Sequence, residues 1–193
     1  VFENDCRNFD DVSVNRIFRF QLVCHIGLEA NAIKGAGRFN EMEKGRIVYS
    51  YATPLLMYPV GHRLMAQDPA YTPDEDYYAC IESYFVQSED FICLDEYRNF
   101  IIEAAHTLDP SGRGVRDLRQ KTAAQMRFIA ERFDAPAVRE NLLHRLAGSY
   151  VDTFGVEDIQ DMESVYRTYV RDEALLADFT AKCERWNLSK PGR

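Results

Sequence analysis

Apolar residues recur at helical spacing with few interruptions from Thr72 to Trp186. A period of three to four residues places one face of each segment against a core, which is typical of amphipathic α-helices. The pattern breaks only where Pro, Gly or Asp would end a helix. At the start of this region, Thr72 can cap free backbone N–H groups and Pro73 fits the first helical position. The sequence therefore predicts an all-α fold, with one helix beginning at this Thr-Pro pair.

The breaks in the pattern divide the chain into about seven or eight helices. The clearest breaks are Asp109–Gly114, Pro136, Gly155 and Asp172. No repeat of fixed period and no low-complexity linker separates the helices. We therefore expect residues 1–193 to form a single globular multi-helix domain, with flexible ends at 1–10 and 189–193.

The N-terminal third of the chain is less regular. From about Ser13 to Lys34, apolar side chains cover nearly the whole helical cylinder, which predicts a helix buried on most sides. The next segment fits a helix that bends or ends near Pro54, with a further break at Pro59. Its β-branched and aromatic residues would also suit a strand. A short irregular or β segment within residues 38–60 is therefore the alternative.

The protein is acidic, with a net charge of −8 and a pI near 5.1. An acidic surface repels phosphate groups, so DNA and membranes are not expected as partners, and RNA is disfavoured. No apolar run approaches the ~18 residues of a membrane span. The five cysteines are scattered and form no C-x-x-C pair, which favours reduced thiols in a cytoplasmic protein.

Three of the four histidines have a carboxylate three or four residues away, a spacing that places both groups on one helix face. One pair, His25 and Glu29, lies on a face predicted to be buried. A buried ionisable pair must bond to itself, to a third group or to a ligand. We treat the pair as a candidate ligand or metal site, while a self-satisfied structural pair remains the alternative. No other cofactor is predicted.

Arg139 and His144 are separated by four residues. This R-x4-H spacing resembles the motif of HEPN-type ribonucleases, a family of small all-helical proteins. The resemblance implies that the Arg and the His act together on an RNA phosphate, often across a dimer interface, and makes both candidate catalytic residues. The Tyr that follows the His in one branch of the family is Leu146 here. On the alternative interpretation, Arg139 covers the start of its helix and His144 lies at the border of the apolar stripe.

Tyrosines and acidic residues alternate around the predicted helix start at Thr72. The candidate residues for binding a protein partner are Tyr71, Asp74, Glu75, Tyr77, Tyr78 and Tyr84. Aromatic side chains inside an acidic rim are suited to anchoring a basic protein. The same spacing would also allow several of these tyrosines to build the core.

Signatures of an activated nucleophile, a phosphate-binding glycine loop or a calcium loop do not occur in the sequence. We therefore expect a non-catalytic, acidic helical binding or regulatory protein, such as an inhibitor or immunity-type partner of a basic protein. The first alternative is an enzyme with a buried metal–carboxylate/histidine site in the helical core. The second is a HEPN-like ribonuclease.

Overall fold

The structure is a computed structural model that describes residues 37–111, 115 and 117–189. These residues contain seven α-helices and no β-strand, which confirms the predicted all-α fold. The helices are α1 (Gly37–Met65), α2 (Glu75–Tyr84), α3 (Asp95–Leu108), α4 (Leu118–Arg132), α5 (Pro136–Phe154), α6 (Gln160–Tyr169) and α7 (Glu173–Ser189). Within this described part of the chain, no helix combines the length and the hydropathy that crossing a bilayer requires.

The first helix, α1, continues for 29 residues through both Pro54 and Pro59. The prediction that the helix ends near these prolines is therefore wrong, and so is the alternative of a β segment within residues 38–60. Each internal Pro costs roughly 3 kcal/mol because it removes a backbone hydrogen bond. Burial of one face of α1, which includes Tyr49, offsets this cost. The Thr53 hydroxyl also donates to the Tyr49 carbonyl at 2.8 Å, a local bond typical of Thr within helices.

The helix predicted to begin at Thr72 begins two residues later. Asp74 is the N-cap of α2, and its carboxylate accepts the backbone N–H of Tyr77 at 3.0 Å. An Asp cap is at least as favourable as a Thr cap, so both positions satisfy the local chemistry. The Thr72 hydroxyl donates instead to the Ala70 carbonyl at 3.3 Å. The prediction of Thr72 as the N-cap is therefore wrong, although either residue has a side chain suited to that position.

The chain divides into two compact units between Ala104 and Ala105, and the predicted single domain stays a prediction. In the first unit α1 packs against α2, and the buried Tyr49 ring meets the Tyr97 ring edge-on at 5.0 Å. The Tyr97 hydroxyl accepts the Ser88 N–H and donates to the carbonyl of residue 86, at 3.0 and 2.9 Å. Burial raises the pKa of Tyr97 to about 12. An aromatic core therefore holds this unit together.

In the second unit, α4 packs against α5 and α6, while α5 packs against α6 and α7. Its helices begin and end where the sequence predicts. Pro136 occupies the start of α5, and Gly155 ends it with φ 86°, a conformation that favours glycine. The Asp172 carboxylate accepts the N–H groups of Ala174 and Leu175 at 2.8 and 3.0 Å, at the start of α7. Local stop signals are therefore reliable in this half.

The buried Cys80 on α2 is disulfide-bonded. The expectation of reduced thiols is therefore wrong for this cysteine. Cys93 and Cys183 are free thiols, the first exposed and the second half-buried.

Candidate functional site

Four exposed apolar side chains lie in the C-terminal half of α1. Met57, Val60 and Leu64 are three and four residues apart, so they share one helix face, and Met65 lies beside them. Their exposed fractions are 59%, 44%, 74% and 89%, respectively. Single exposed apolar residues are ordinary, but a group on one face is typical of an interaction surface. We refer to these four residues as the α1 stripe.

Stacked aromatic rings hold the segment after α1 against that helix. The His62 and Tyr71 rings stack with centroids 4.0 Å apart, and Tyr58 meets Tyr71 edge-on at 6.2 Å. The Tyr58 hydroxyl lies 3.2 Å from His62 Nδ1, and Arg63 Nε donates to the Tyr71 carbonyl at 2.8 Å. At about 100° per residue, Met65 falls between the rest of the α1 stripe and the face that carries Tyr58 and His62. The segment containing Tyr71 is therefore anchored next to the stripe.

A single stretch that begins at the end of α1 carries the whole excess of negative charge of the protein. Residues 64–97 contain nine Asp or Glu and no Lys, Arg or His. These acids are Asp68, Asp74, Glu75, Asp76, Glu82, Glu89, Asp90, Asp95 and Glu96. Because the net charge of the chain is −8, all remaining residues together carry +1. We refer to residues 64–97 as the acidic segment, and its charge is complementary to basic groups.

Two of the tyrosines predicted to bind a partner are buried. Tyr77 and Tyr84 are 3% and 5% exposed, because seven residues make two turns and place both on the inner face of α2. The Tyr77 hydroxyl donates to the Leu56 carbonyl at 3.5 Å, and the Tyr84 carbonyl accepts the hydroxyl of Tyr49 at 3.4 Å. Both residues therefore belong to the core and offer no surface to a partner.

The other predicted binding residues reach the surface. Asp74 and Glu75 are exposed at the start of α2, where the Asp74 carboxylate also caps the helix. Tyr71 and Tyr78 are half-buried. Whether they contact a partner stays a prediction.

Arg139 and His144 do not converge on one site. Arg139 donates to the Phe133 carbonyl at 3.3 Å, and its guanidinium lies 5.8 Å from the centre of the Tyr169 ring. The Arg139 Nε is buried and has no hydrogen-bond partner among the described residues. His144 lies five residues further along α5, about 140° around the helix, and contacts α6 and α7 instead. The R-x4-H spacing therefore does not assemble an accessible pair within one chain.

The ring of His144 joins three helices of the second unit. Its Nδ1 lies 2.8 Å from the Tyr166 hydroxyl on α6, and its Nε2 lies 3.2 Å from the Asp178 carboxylate on α7. The Tyr166 hydroxyl oxygen also lies 2.9 Å from the Leu175 carbonyl oxygen, within hydrogen-bond distance. Burial lowers the pKa of His144 and raises the pKa of Tyr166. Tyr166 is fully buried, so this arrangement cannot present its hydroxyl to a substrate in solvent.

Glu140 precedes His144 by one helical turn, but its carboxylate serves the backbone. The side chain is buried, and Oε2 accepts the N–H groups of Arg171 and Asp172 at 3.0 and 2.8 Å. These bonds tie α5 to the turn between α6 and α7. The sequence could not reveal this role, because the partners lie about thirty residues away and are backbone groups.

An open groove of about 500 Å³ lies between the loop before α6 and the side of α7. Glu157, Asp158, Glu163 and Cys183 are among its lining residues. Asp158 is paired with a guanidinium of Arg119 at 2.8 Å, and Glu163 is paired with an Arg one turn further along α6. Its acids are thus partly neutralised by ion pairs, which makes the groove a weaker ligand site.

The candidate ligand or metal residues His25 and Glu29 lie outside the described residues, so their role stays a prediction. Within residues 37–111, 115 and 117–189, no three His, Cys, Asp or Glu side chains come together as a metal site would need. The α1 stripe and the acidic segment are therefore the strongest candidate site that the described residues provide.

Comparison with known proteins adds no relative. No family model matches the chain, and neither a curated protein nor a solved structure is significantly similar to it. The likeness to HEPN-type ribonucleases therefore depends on the Arg139–His144 spacing alone.

Proposed function

We propose that this protein binds a basic, amphipathic segment of another protein and does no catalysis of its own. Apolar side chains of the partner pack on the α1 stripe, and Lys or Arg side chains meet the acidic segment. The observation that supports this proposal most is the position of exposed Leu64 and Met65 beside a stretch with nine acids and no base. The half-buried Tyr71 and Tyr78 would add aromatic contact area.

The two parts of the surface contribute differently. Full burial of a Leu or Met side chain contributes roughly 1.5–3 kcal/mol, so Leu64 and Met65 would provide much of the affinity. Carboxylates at a solvated rim contribute less affinity, but they speed association and select against acidic partners. Binding should therefore weaken with salt, and the apolar part should persist.

A synthetic peptide can stand in for the partner and test this proposal. The probe is a fluorescent helical peptide of about five turns with a Leu face and a Lys face. We expect saturable binding, measured by fluorescence anisotropy, and at least tenfold weaker binding for L64S/M65S. The variant E75Q/D76N should weaken binding mainly at low salt. Asp74 is left intact because it caps α2.

Matched controls separate this surface from general stickiness. L188S removes an equally exposed apolar side chain from α7, and D161N/E173Q removes two acids from the first turns of α6 and α7. Both controls should bind the peptide like the original protein. The proposal would be contradicted if the controls lost as much peptide affinity as L64S/M65S, or if the original protein did not bind the peptide.

The two enzyme alternatives have weaker support. In the second unit, both ring nitrogens of His144 already have partners, and Arg139 contacts different groups. A ribonuclease would lose RNA cleavage in R139A and H144A variants. A metal enzyme that uses His25 and Glu29 would bind metal after purification and lose stability in chelator.

The compartment remains a prediction. The sequence favours the cytoplasm, but the disulfide of Cys80 favours an oxidising environment, since disulfides rarely persist among reduced cytosolic thiols.

A further inference from the structure

Asp178, His144 and Tyr166 form a polar group with three close contacts. This is one contact more than the group can make as hydrogen bonds while His144 is neutral. The three contacts are Asp178 to His144 Nε2, His144 Nδ1 to the Tyr166 hydroxyl, and that hydroxyl to the Leu175 carbonyl. A carboxylate and a carbonyl only accept, so all three become hydrogen bonds only when three protons lie on the two side chains. A neutral imidazole and a tyrosine carry two. One contact is therefore unmade in the neutral state.

When His144 is neutral, the hydrogen bond that is not made should be the one from the Tyr166 hydroxyl to the Leu175 carbonyl. If Nε2 were unprotonated, its lone pair would face the Asp178 carboxylate at 3.2 Å, which is repulsive. The imidazole proton therefore lies on Nε2, and the Tyr166 hydroxyl donates to Nδ1. The Leu175 carbonyl loses little, because it can also accept an N–H group within the helical ladder of α7.

We propose that this group takes up one proton when the Tyr166 hydroxyl turns from His144 Nδ1 to the Leu175 carbonyl. Nδ1 then acquires the proton and donates to the Tyr166 oxygen, while Nε2 continues to donate to Asp178. The heavy atoms need not move. In the protonated state α5, α6 and α7 are joined by three hydrogen bonds instead of two. Protonation therefore adds a hydrogen bond between helices of the second unit.

The charges around His144 are arranged so that proton uptake is resisted but not blocked. Asp178 and Lys182 act on the ring from α7, Asp152 acts from α5 itself, and Tyr166 faces it from α6. Lys182 binds Asp152 at 2.5 Å, which limits the influence of both. Burial lowers the pKa of His144, and the carboxylate of Asp178 opposes this effect. Protonation is therefore expected on the acidic side of the ordinary histidine range.

The proposal is tested by whether the substitution Y166F raises or lowers the proton affinity of His144. The imidazole nitrogens of His144 are followed by ¹⁵N NMR through a pH titration of the original protein and of Y166F. We expect the Nε2–H tautomer at high pH in the original protein. Because Phe cannot accept the Nδ1 proton, Y166F should lower the proton affinity of His144 about three- to tenfold. If the hydroxyl only donates to Nδ1, it opposes protonation, and Y166F would raise the proton affinity instead.

Two further variants keep the test decisive. Y169F removes a hydroxyl from the same helix, where the Tyr169 ring contacts Arg139, and should leave the titration of His144 unchanged. D178N should lower the proton affinity of His144, because it removes the charge that stabilises the imidazolium. A raised or unchanged affinity in Y166F, an Nδ1–H tautomer in the original protein, or an unchanged titration in D178N would each overturn the proposal. The tautomer is read without any substitution, so it remains informative if a variant fails to fold.

Discussion

Removal of the Glu140 carboxylate should loosen the second unit, because a single oxygen of this side chain accepts two backbone N–H groups. The bonds from Arg171 and Asp172 measure 3.0 and 2.8 Å, and the side chain is 7% exposed. Asp172 in turn caps α7 through two further bonds. Loss of Glu140 should therefore disturb both the turn after α6 and the start of α7.

The magnitude follows from the number and the charge of these bonds. A hydrogen bond to a charged group contributes about 1.5–3 kcal/mol, and part of that gain offsets the cost of burying the carboxylate. We expect E140A to lower the free energy of unfolding by about 2–4 kcal/mol, because two N–H groups lose their acceptor. E140Q retains an acceptor oxygen without the charge, so its cost should be about 1 kcal/mol.

Urea unfolding followed by tryptophan fluorescence measures this effect directly. Trp186 is the single tryptophan of the chain and lies on α7, against Gly155 at the end of α5, so it reports on the second unit. E131A removes an exposed carboxylate from α4 and serves as the control. If E140A lowered stability no more than E131A, the carboxylate would not be holding the turn and the reasoning would be refuted.

Three further predictions concern packing, pH and thiol chemistry. G45A should destabilise the first unit, because a Cβ at this position would lie 2.6 Å from the Phe91 ring. In G61A the added Cβ meets nothing within 4 Å, so this variant should stabilise α1 by about 0.5–1 kcal/mol. Thermal unfolding of the two variants and the original protein measures both effects. Because burial lowers the pKa of His144 below its ordinary 6.5, the unfolded chain binds the proton more readily. The stability gained by keeping His144 neutral is therefore complete above that ordinary value and is lost as the pH falls through the lowered pKa. Urea unfolding midpoints should therefore decline less on acidification in H144Q than in the original protein. Alkylation in denaturant without reductant should label at most three of the five cysteines, because the Cys80 disulfide withholds two, and labelling of all five would exclude that bond.

Local chemistry predicted the second unit better than the first. Pro136, Gly155 and Asp172 each act on the nearest turn of backbone, so their effect does not depend on the rest of the fold. Pro54 and Pro59 do not end α1, because the cost of a proline within a helix is outweighed by burial that only the tertiary structure reveals.

The candidate surfaces were predictable only in part. The exposed acids at the start of α2 follow from the sequence, and helical periodicity places Tyr77 and Tyr84 inside, as the alternative interpretation of the same spacing predicts. A charge count by segment would have found the acidic segment. The partners of His144 could not be found in this way, because Tyr166 and Asp178 come from other helices at distant positions in the chain.

The separation of charge along the chain has a consequence for the behaviour of the protein in solution. Nine carboxylates in residues 64–97 account for the entire negative charge, and the remainder is nearly neutral. Repulsion between molecules, which keeps an acidic protein dispersed, therefore arises from the same groups that would meet a basic ligand. A complex in which those groups are neutralised would lie close to its isoelectric point. Saturating the surface should lower colloidal stability, so turbidity that peaks near charge balance and clears with excess ligand would be a macroscopic sign of binding.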